Sequence, residues 1–389
     1  MLVPVSFYLV VVYFILFRYT QKRNSQSKRE KKAWVLQTYW LDYGELHLKW
    51  PDQSNLGGIL MKAVVYTKYG PPDVLQLKEV AKPTPKDNEV LVKVHAASVN
   101  SWDWDLLRGT PFVNRLMFGI LKPRTGILGC DIAGQVEAVG RNVEQFQPGD
   151  EVFGDISGCG WGGFAEYVCA RENVLALKPA SMTFEEAAAV PQAAVLALQG
   201  LRDKGQIQPG QKVLINGAGG GAGTFGVQIA KSFGAEVTGV DSTSKLDMLR
   251  SIGADQVVDY TQEDFTKNGQ VYDLILDVVT YRSIFDYKRA LSPKGIYVML
   301  GGGSWARVFQ TMFLGPLISM TGSKKMGLLM HKPNTNDLVF MKELFEAGKV
   351  VPVIDRRYPL SEVAEALRYF GEGHVKGKVV ITVEHNNKT

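Results

Sequence analysis

Lys212-Val213-Leu214-Ile215-Asn216-Gly217-Ala218-Gly219-Gly220-Gly221-Ala222-Gly223 is an apolar strand that runs straight into a glycine cluster. A helix is predicted to follow from Thr224 to Phe233. This turn brings an anionic group against bare backbone N–H groups at a helix N-terminus, where the partial positive charge favours it. Gly220 lets the backbone approach the phosphates, and Gly223 lets the helix pack close to its strand. Gly217, Gly219, Gly221 and Ala222 complete the cradle. Asp241 closes the next strand, 18 positions beyond Gly223, where an acid bonds the adenosine ribose and repels a 2′-phosphate. Ser242, Thr243 and Lys245 follow at once and could instead cradle that phosphate. The stretch reads as a dinucleotide site whose chemistry is divided between the two nicotinamide cofactors.

Outward from this loop, strands predicted at 236–240, 256–259, 273–277 and 295–300 alternate with helices at 246–252 and 284–291. Alternation of this kind predicts a parallel sheet with helices on both faces. Thr183 with Glu186 forms a capping box that opens an Ala-rich helix ahead of it. From Met61 to about residue 180 the pattern is short apolar runs broken by Gly and Pro, which predicts a β-rich, barrel-like unit. Further helices are predicted at 335–347 and 361–369, with short strands between 351 and 383. The apolar segment 308–320, interrupted at Gly315-Pro316, reads as a buried, lid or dimer-contact helix.

The composition bounds the function. At 389 residues, 46% hydrophobic and 21% charged, the chain has material for two or three cores and is no disordered polymer. Three cysteines, Cys130, Cys159 and Cys169, supply neither a disulfide framework nor an all-cysteine zinc lobe. The net charge of +5 is unevenly placed: residues 1–60 carry +4 and residues 61–389 only +1. A nearly neutral body argues against nucleic acid as a partner. The run 2–17 is apolar but short for a bilayer span, and seven basic residues between Arg18 and Lys32 follow it. Residues 1–60 read as a dispensable or mis-assigned leader, a weak membrane anchor or a targeting peptide, and the working protein reads from Met61. A cytoplasmic location is expected, with membrane association only through residues 2–17.

Several segments in order resemble the medium-chain dehydrogenase/reductase superfamily, in its zinc-free quinone-oxidoreductase-like branch. They are Val94 to Asn100 with Asp103 and Arg108-Gly109, Asp131 to Gly134, Pro148 to Val152 and Gly163 to Tyr167. The glycine loop follows, then Gly253-Ala254-Asp255, Gly348-Lys349-Val350 and Gly373-His374 with Gly377-Lys378. The resemblance implies an α/β fold in which a Rossmann doubly wound sheet (183–345) is inserted into a GroES-like β-barrel substrate domain (61–182 and 346–389). It implies an active site in the cleft between them and a homodimer. It also implies NADPH, with Lys245 and Tyr260 at the 2′-phosphate, although Asp241 departs from the small residue usual there and keeps NADH open. Lys376, with His374, is expected near the cofactor's charged half.

Zinc-dependent relatives carry a Cys where this chain has Asn100, and Gly-His-Glu where it has Gly129-Cys130-Asp131, so no metal is expected. Without a Lewis acid, reduction of an activated acceptor is the natural chemistry: hydride transfer from NAD(P)H to a quinone or an α,β-unsaturated carbonyl. Asn100 is the expected donor to the substrate oxygen, and Asp103 the second catalytic candidate, with a brace formed by Asp103 and Arg108 as its alternative. Asp105 is a conceivable proton relay, and Trp102, Trp104 and Phe112 an apolar wall or core. Val195, Leu196 and Ala197 are expected to face the nicotinamide or simply to pack. An alcohol or aldehyde dehydrogenase, or a nucleotide-binding scaffold without turnover, are the competing classes.

Overall fold

In the computed structural model, residues 59–302 and 304–385 are described, so the run 2–17 and the leader up to residue 58 lie outside the described residues. Along the chain the elements are β1 (Leu60–Val65), β2 (Gln76–Ala81), β3 (Glu89–Val99), α1 (Ser101–Arg108), α2 (Phe112–Phe118), β4 (Asp131–Val139) and β5 (Glu151–Asp155). Then come β6 (Tyr167–Arg171), β7 (Leu175–Leu177), α3 (Phe184–Ala188), α4 (Pro191–Leu198), β8 (Lys212–Asn216), α5 (Gly221–Ser232), β9 (Glu236–Asp241) and α6 (Leu246–Ser251). The remainder is β10 (Gln256–Asp259), β11 (Tyr272–Asp277), α7 (Ile284–Ala290), β12 (Leu291–Met299), α8 (Trp305–Thr321), β13 (Lys325–Leu328), α9 (Thr335–Glu346), β14 (Ile354–Pro359), α10 (Val363–Gly371) and β15 (Lys378–Thr382).

The apolar strands of the second half form a six-stranded parallel sheet in the order β10-β9-β8-β11-β12-β13. Its central strands are buried on both sides, as continuous Val/Ile/Leu runs require. The strand order reverses between β8 and β11, so the glycine loop leaves β8 at the crevice where open α/β sheets bind their ligands. Ala193, Ala194, Ala197 and Leu198 of α4 share a core with Ile215, Phe225 and Leu276.

The remaining strands build a mixed sheet, β14-β15-β3-β4-β5-β7, with β6 paired to β3. Its members come from both sides of the parallel sheet in sequence. Strand β15 returns antiparallel to β3 with Val379 opposite Val99, which sets Lys378 beside Asn100. The fold is thus a doubly wound parallel sheet inserted into a GroES-like unit. Among the described residues no helix is long and apolar enough to cross a membrane.

One expectation needs correction. Helix α5 begins at Gly221, not Thr224, so the glycines themselves form its first turn. The segment 308–320 is helical as expected, and α8 runs through Pro316. Tertiary contacts carry it across: a side chain at Gly315 would press to 2.7 Å from the Met326 carbonyl oxygen, and the Met326 N–H donates to Ser319 Oγ at 2.9 Å.

Candidate active site

At the glycine loop, a Cβ at Gly223 would lie 2.1 Å from the Gly217 carbonyl, so only glycine lets α5 lie this close to the end of β8. At Gly220, the residue before the helix, a Cβ would meet only the Gly217 oxygen, at 3.6 Å. The loop therefore presents open space at Gly220 together with the first-turn N–H groups of Gly221, Ala222 and Gly223, which have no acceptor inside their own helix. The glycines named from the sequence thus lie together at the junction of β8 and α5.

Asp241 ends β9 against this loop. Its Oδ2 accepts from the Gly219 N–H and its Oδ1 from the Ser242 N–H, both at 2.8 Å. The Lys245 ammonium lies 3.6 Å from Asp241 Oδ1, and both side chains are largely buried. Tyr260 is exposed, and its N–H donates to the Asp241 carbonyl at 3.2 Å. Asp241, Ser242, Lys245 and Tyr260 therefore gather at one corner.

The C-terminal turn closes on the same loop. The Gly377 N–H donates to the Gly219 carbonyl at 2.9 Å, and Gly377 bridges Gly220. Lys376 is tied at its own N–H to Asp355 Oδ2 at 2.9 Å, two residues from the Lys378 side chain that abuts Gly221. His374 is exposed.

From this contact a buried polar network runs into the barrel-like unit. Lys378 Nζ donates to Asn100 Oδ1 at 2.6 Å and to the Val99 carbonyl at 3.2 Å, and it lies 3.5 Å from Asp131 Oδ2. Asn100 Nδ2 donates to Asp131 Oδ2 at 2.9 Å and faces Cys130 Sγ at 3.3 Å. Gln192, at the first turn of α4, points its Nε2 at the same sulfur at 3.3 Å and donates its backbone N–H to Asp131 Oδ1 at 3.0 Å. Burial pushes the Asp131 carboxyl up to about 6 against the opposing pull of Lys378, and burial pushes the Cys130 thiol well up. Asp155 completes a cluster with Cys130 and Asp131 whose donor atoms lie within 4.8 Å of one another, and its Oδ2 meets His331 Nε2 at 3.0 Å.

Asp103 stands differently from the expectation. It is buried, and its two oxygens accept from the backbone N–H groups of Asn100 and Gly129, each at 2.9 Å. Burial raises its carboxyl to about 7. The expected pairing of Asp103 with Arg108 does not form; Arg108 instead stacks on the Trp104 ring at 5.0 Å. Burial raises Asp105 to about 6, with Arg108 opposing. Trp104 packs on Gly371, whereas Trp102 joins Phe118 and Trp161 in an aromatic cluster and Phe112 is exposed. Val195 and Ala197 are core, and Leu196 is partly exposed. Lys378 and Gln192 had no assigned site role in the sequence reading; the Gly377-Lys378 pair was the one signal near them.

Comparison with known proteins matches this architecture. A family model described as an alcohol dehydrogenase GroES-like domain matches residues 86–180, and one described as a zinc-binding dehydrogenase matches residues 252–381. A 2-methylene-furan-3-one reductase of Solanum lycopersicum is 36% identical over 82% of this chain and 79% of its own length. An NADPH-dependent alkenal/one oxidoreductase of Arabidopsis thaliana is 32% identical over 82% of this chain and 79% of its own. The solved structure of the quinone oxidoreductase from Coxiella burnetii superimposes with a TM-score of 0.74 at 30% identity, covering 84% of this chain and all of that one.

Proposed function

Because the chain belongs to the medium-chain dehydrogenase/reductase superfamily, in its zinc-free quinone-oxidoreductase-like branch, we propose that it reduces quinones or α,β-unsaturated carbonyls at the expense of NAD(P)H. The observation that carries this reading is the docking of the Gly377-Lys378 turn on the glycine loop, which joins a dinucleotide cradle to the buried Asn100–Asp131–Lys378 network. When bound, the nicotinamide cofactor supplies the hydride. The chain's own residues hold, orient and polarise.

We assign residues 183–345 to the cofactor domain, and 61–182 with 346–389 to the substrate domain. The N–H groups of Gly221, Ala222 and Gly223 take the pyrophosphate, with Gly220 leaving room for it. NADPH is the favoured cofactor, since Ser242, Lys245 and Tyr260 surround the ribose corner and Asp241 is already bonded to Gly219 and Ser242. Lys376 is assigned to the cofactor's charged half, since its turn docks on the glycine loop through Gly377.

Asn100 remains the proposed contact to the substrate oxygen. Its Oδ1 is fixed by Lys378, and one Nδ2 hydrogen is held by Asp131. The other is shared between Cys130 Sγ and the Ser98 carbonyl at 3.4 Å, a weak acceptor and a long contact that a well-placed substrate carbonyl would outcompete. Developing enolate charge would then be carried through a polarised amide to the Lys378 ammonium. Asp103, expected as a second catalytic group, is assigned instead to bracing α1 against Gly129, because both its oxygens are spent on backbone.

The Cys130, Asp131 and Asp155 cluster does not fit a catalytic zinc ion. Two amide N–H groups point at the sulfur, burial holds the thiol protonated, and an ammonium already neutralises Asp131. We therefore take the reaction as metal-free. The edge strand β13 would take a second copy as its partner. Titrating the full chain with NADPH and NADH by nicotinamide fluorescence, then adding a simple quinone and an enone while following absorbance, tests the reading. Cofactor binding without turnover on either acceptor refutes the reductase and leaves a nucleotide-binding scaffold; oxidation of simple alcohols in its place would make the chain a dehydrogenase.

A further inference from the structure

Helix α2 and the turn after it form an outward apolar face that nothing among the described residues covers. Phe112 is 59% exposed, Met117 57%, Ile120 56% and Leu121 92%, with Val113 and Leu116 exposed beside them. Ordinary soluble surfaces scatter such residues singly instead of grouping six within ten positions. The segment is firmly mounted. Asn114 and Phe118 form its buried stripe, Phe118 packs edge-on against Trp161 at 5.2 Å, and Tyr69 OH donates to the Gly119 carbonyl at 2.7 Å.

The rim of this face is basic. Between Leu106 and Cys130 the chain carries Arg108, Arg115, Lys122 and Arg124 and no acidic residue at all. Arg115 lies over the Tyr69 ring and donates to the carbonyls of Gly109 and Arg108, so no carboxylate cancels its charge. Arg108 stacks on Trp104 with the half-buried Asp105 nearby, while Lys122 and Arg124 are exposed and form no ion pair among the described residues.

We propose that this face, residues 108–124, docks the protein on an anionic lipid bilayer, with Phe112, Met117, Ile120 and Leu121 entering the headgroup region and the four cations meeting lipid phosphates and carboxylates. Charge decides against the other occupants. The chain's own apolar run 2–17 is followed by seven basic residues that would meet this basic rim. A second copy placed about a two-fold axis would set the same cations against one another.

The test is co-sedimentation of the full chain with vesicles of phosphatidylserine and phosphatidylcholine mixed about one to two, against phosphatidylcholine alone. Binding is expected to the anionic vesicles and to weaken as salt is raised. The double variants Met117→Glu/Leu121→Glu and Lys122→Glu/Arg124→Glu should each lower the bound fraction by about fivefold or more. Nicotinamide titration of each variant reports that it is folded, and the charge-reversal pair, being fully on the surface, keeps the test valid if the apolar pair does not fold. Failure of the wild-type chain to bind, equal binding to both vesicle types, or undiminished binding by the charge-reversal variant would each overturn the proposal. So would a variant that changes only self-association, which would make the face a contact between copies.

Discussion

The Lys378 ammonium sits 2.6 Å from the amide oxygen of Asn100, across 278 positions of sequence. The same ammonium touches the Val99 carbonyl and faces Asp131, and all three side chains are buried. Lys378→Met keeps much of the side-chain length and removes the charge, leaving Asn100 Oδ1 and the Asp131 carboxyl without their cation. Loss of one partner from a buried pair costs about 3 kcal/mol. We expect a loss of stability of that order by denaturant titration. In the variant that still folds, turnover should fall by about tenfold or more with cofactor affinity nearly retained, because the amide is no longer polarised.

The glycine loop separates a packing glycine from a binding glycine. Gly223→Ala drives a methyl group to 2.1 Å from the Gly217 carbonyl, so the junction of β8 and α5 must open. Soluble yield or melting temperature should drop sharply. Gly220→Ala is different: the residue has φ −88° and ψ −179°, which alanine adopts freely, and its Cβ would face open space. Its melting temperature should stay near that of the parent while nicotinamide fluorescence reports cofactor affinity lowered by about tenfold. Equal damage in both assays for both variants would contradict this division.

These contrasts mark what was legible in the chain. The strands 212–216 and 256–259 were readable because the apolar runs end at Gly or turn residues and nothing distant redefines them. The start of α5 was misplaced because glycine's poor helix propensity hides a first turn stabilised by tertiary packing at Gly223. The site was legible only in part. Asn100 was found through the position at which zinc-dependent relatives carry a Cys, but its partners Lys378, Asp131 and Gln192 arrive through the registers of β15 and β4 on β3 and the docking of α4. Asp103 and Arg108 are sequence neighbours, yet the Gly129 N–H, 26 positions away, takes the carboxylate. Side-chain spacing along one strand or helix carries no signal for contacts set by such returns.

Asp103 also sets a pH dependence. Burial raises its folded-state carboxyl to about 7, well above its unfolded value. The folded chain then binds the extra proton between about pH 4 and 7, so this group's contribution to stability is fully present below that window and is lost as the pH rises through it. Asp103→Asn removes the titration. The stability of the wild type relative to this variant should be greater at pH 5 than at pH 8, by roughly 3 kcal/mol at most. Denaturant titrations of the pair at both values check the sign, and a difference that grows toward alkaline pH would remove burial as the dominant cause.

Cofactor choice turns on the corner where Lys245 approaches Asp241. The Asp241 carboxylate is bonded to the N–H groups of Gly219 and Ser242, so it shapes the loop as well as its charge. Lys245 lies 3.6 Å away, and its stem abuts the Gly219 backbone. A 2′-phosphate entering here gains an ammonium but meets a carboxylate. Lys245→Ala should therefore weaken NADPH more than NADH, by about tenfold in the ratio of their dissociation constants. Asp241→Ser should shift the ratio the other way by removing the repulsion, while keeping an acceptor near Gly219. Parallel fluorescence titrations of both cofactors against both variants decide the matter. If Asp241→Ser lowers the affinity for NADH and NADPH equally, the carboxylate serves the loop alone and the discrimination lies with Ser242, Lys245 and Tyr260.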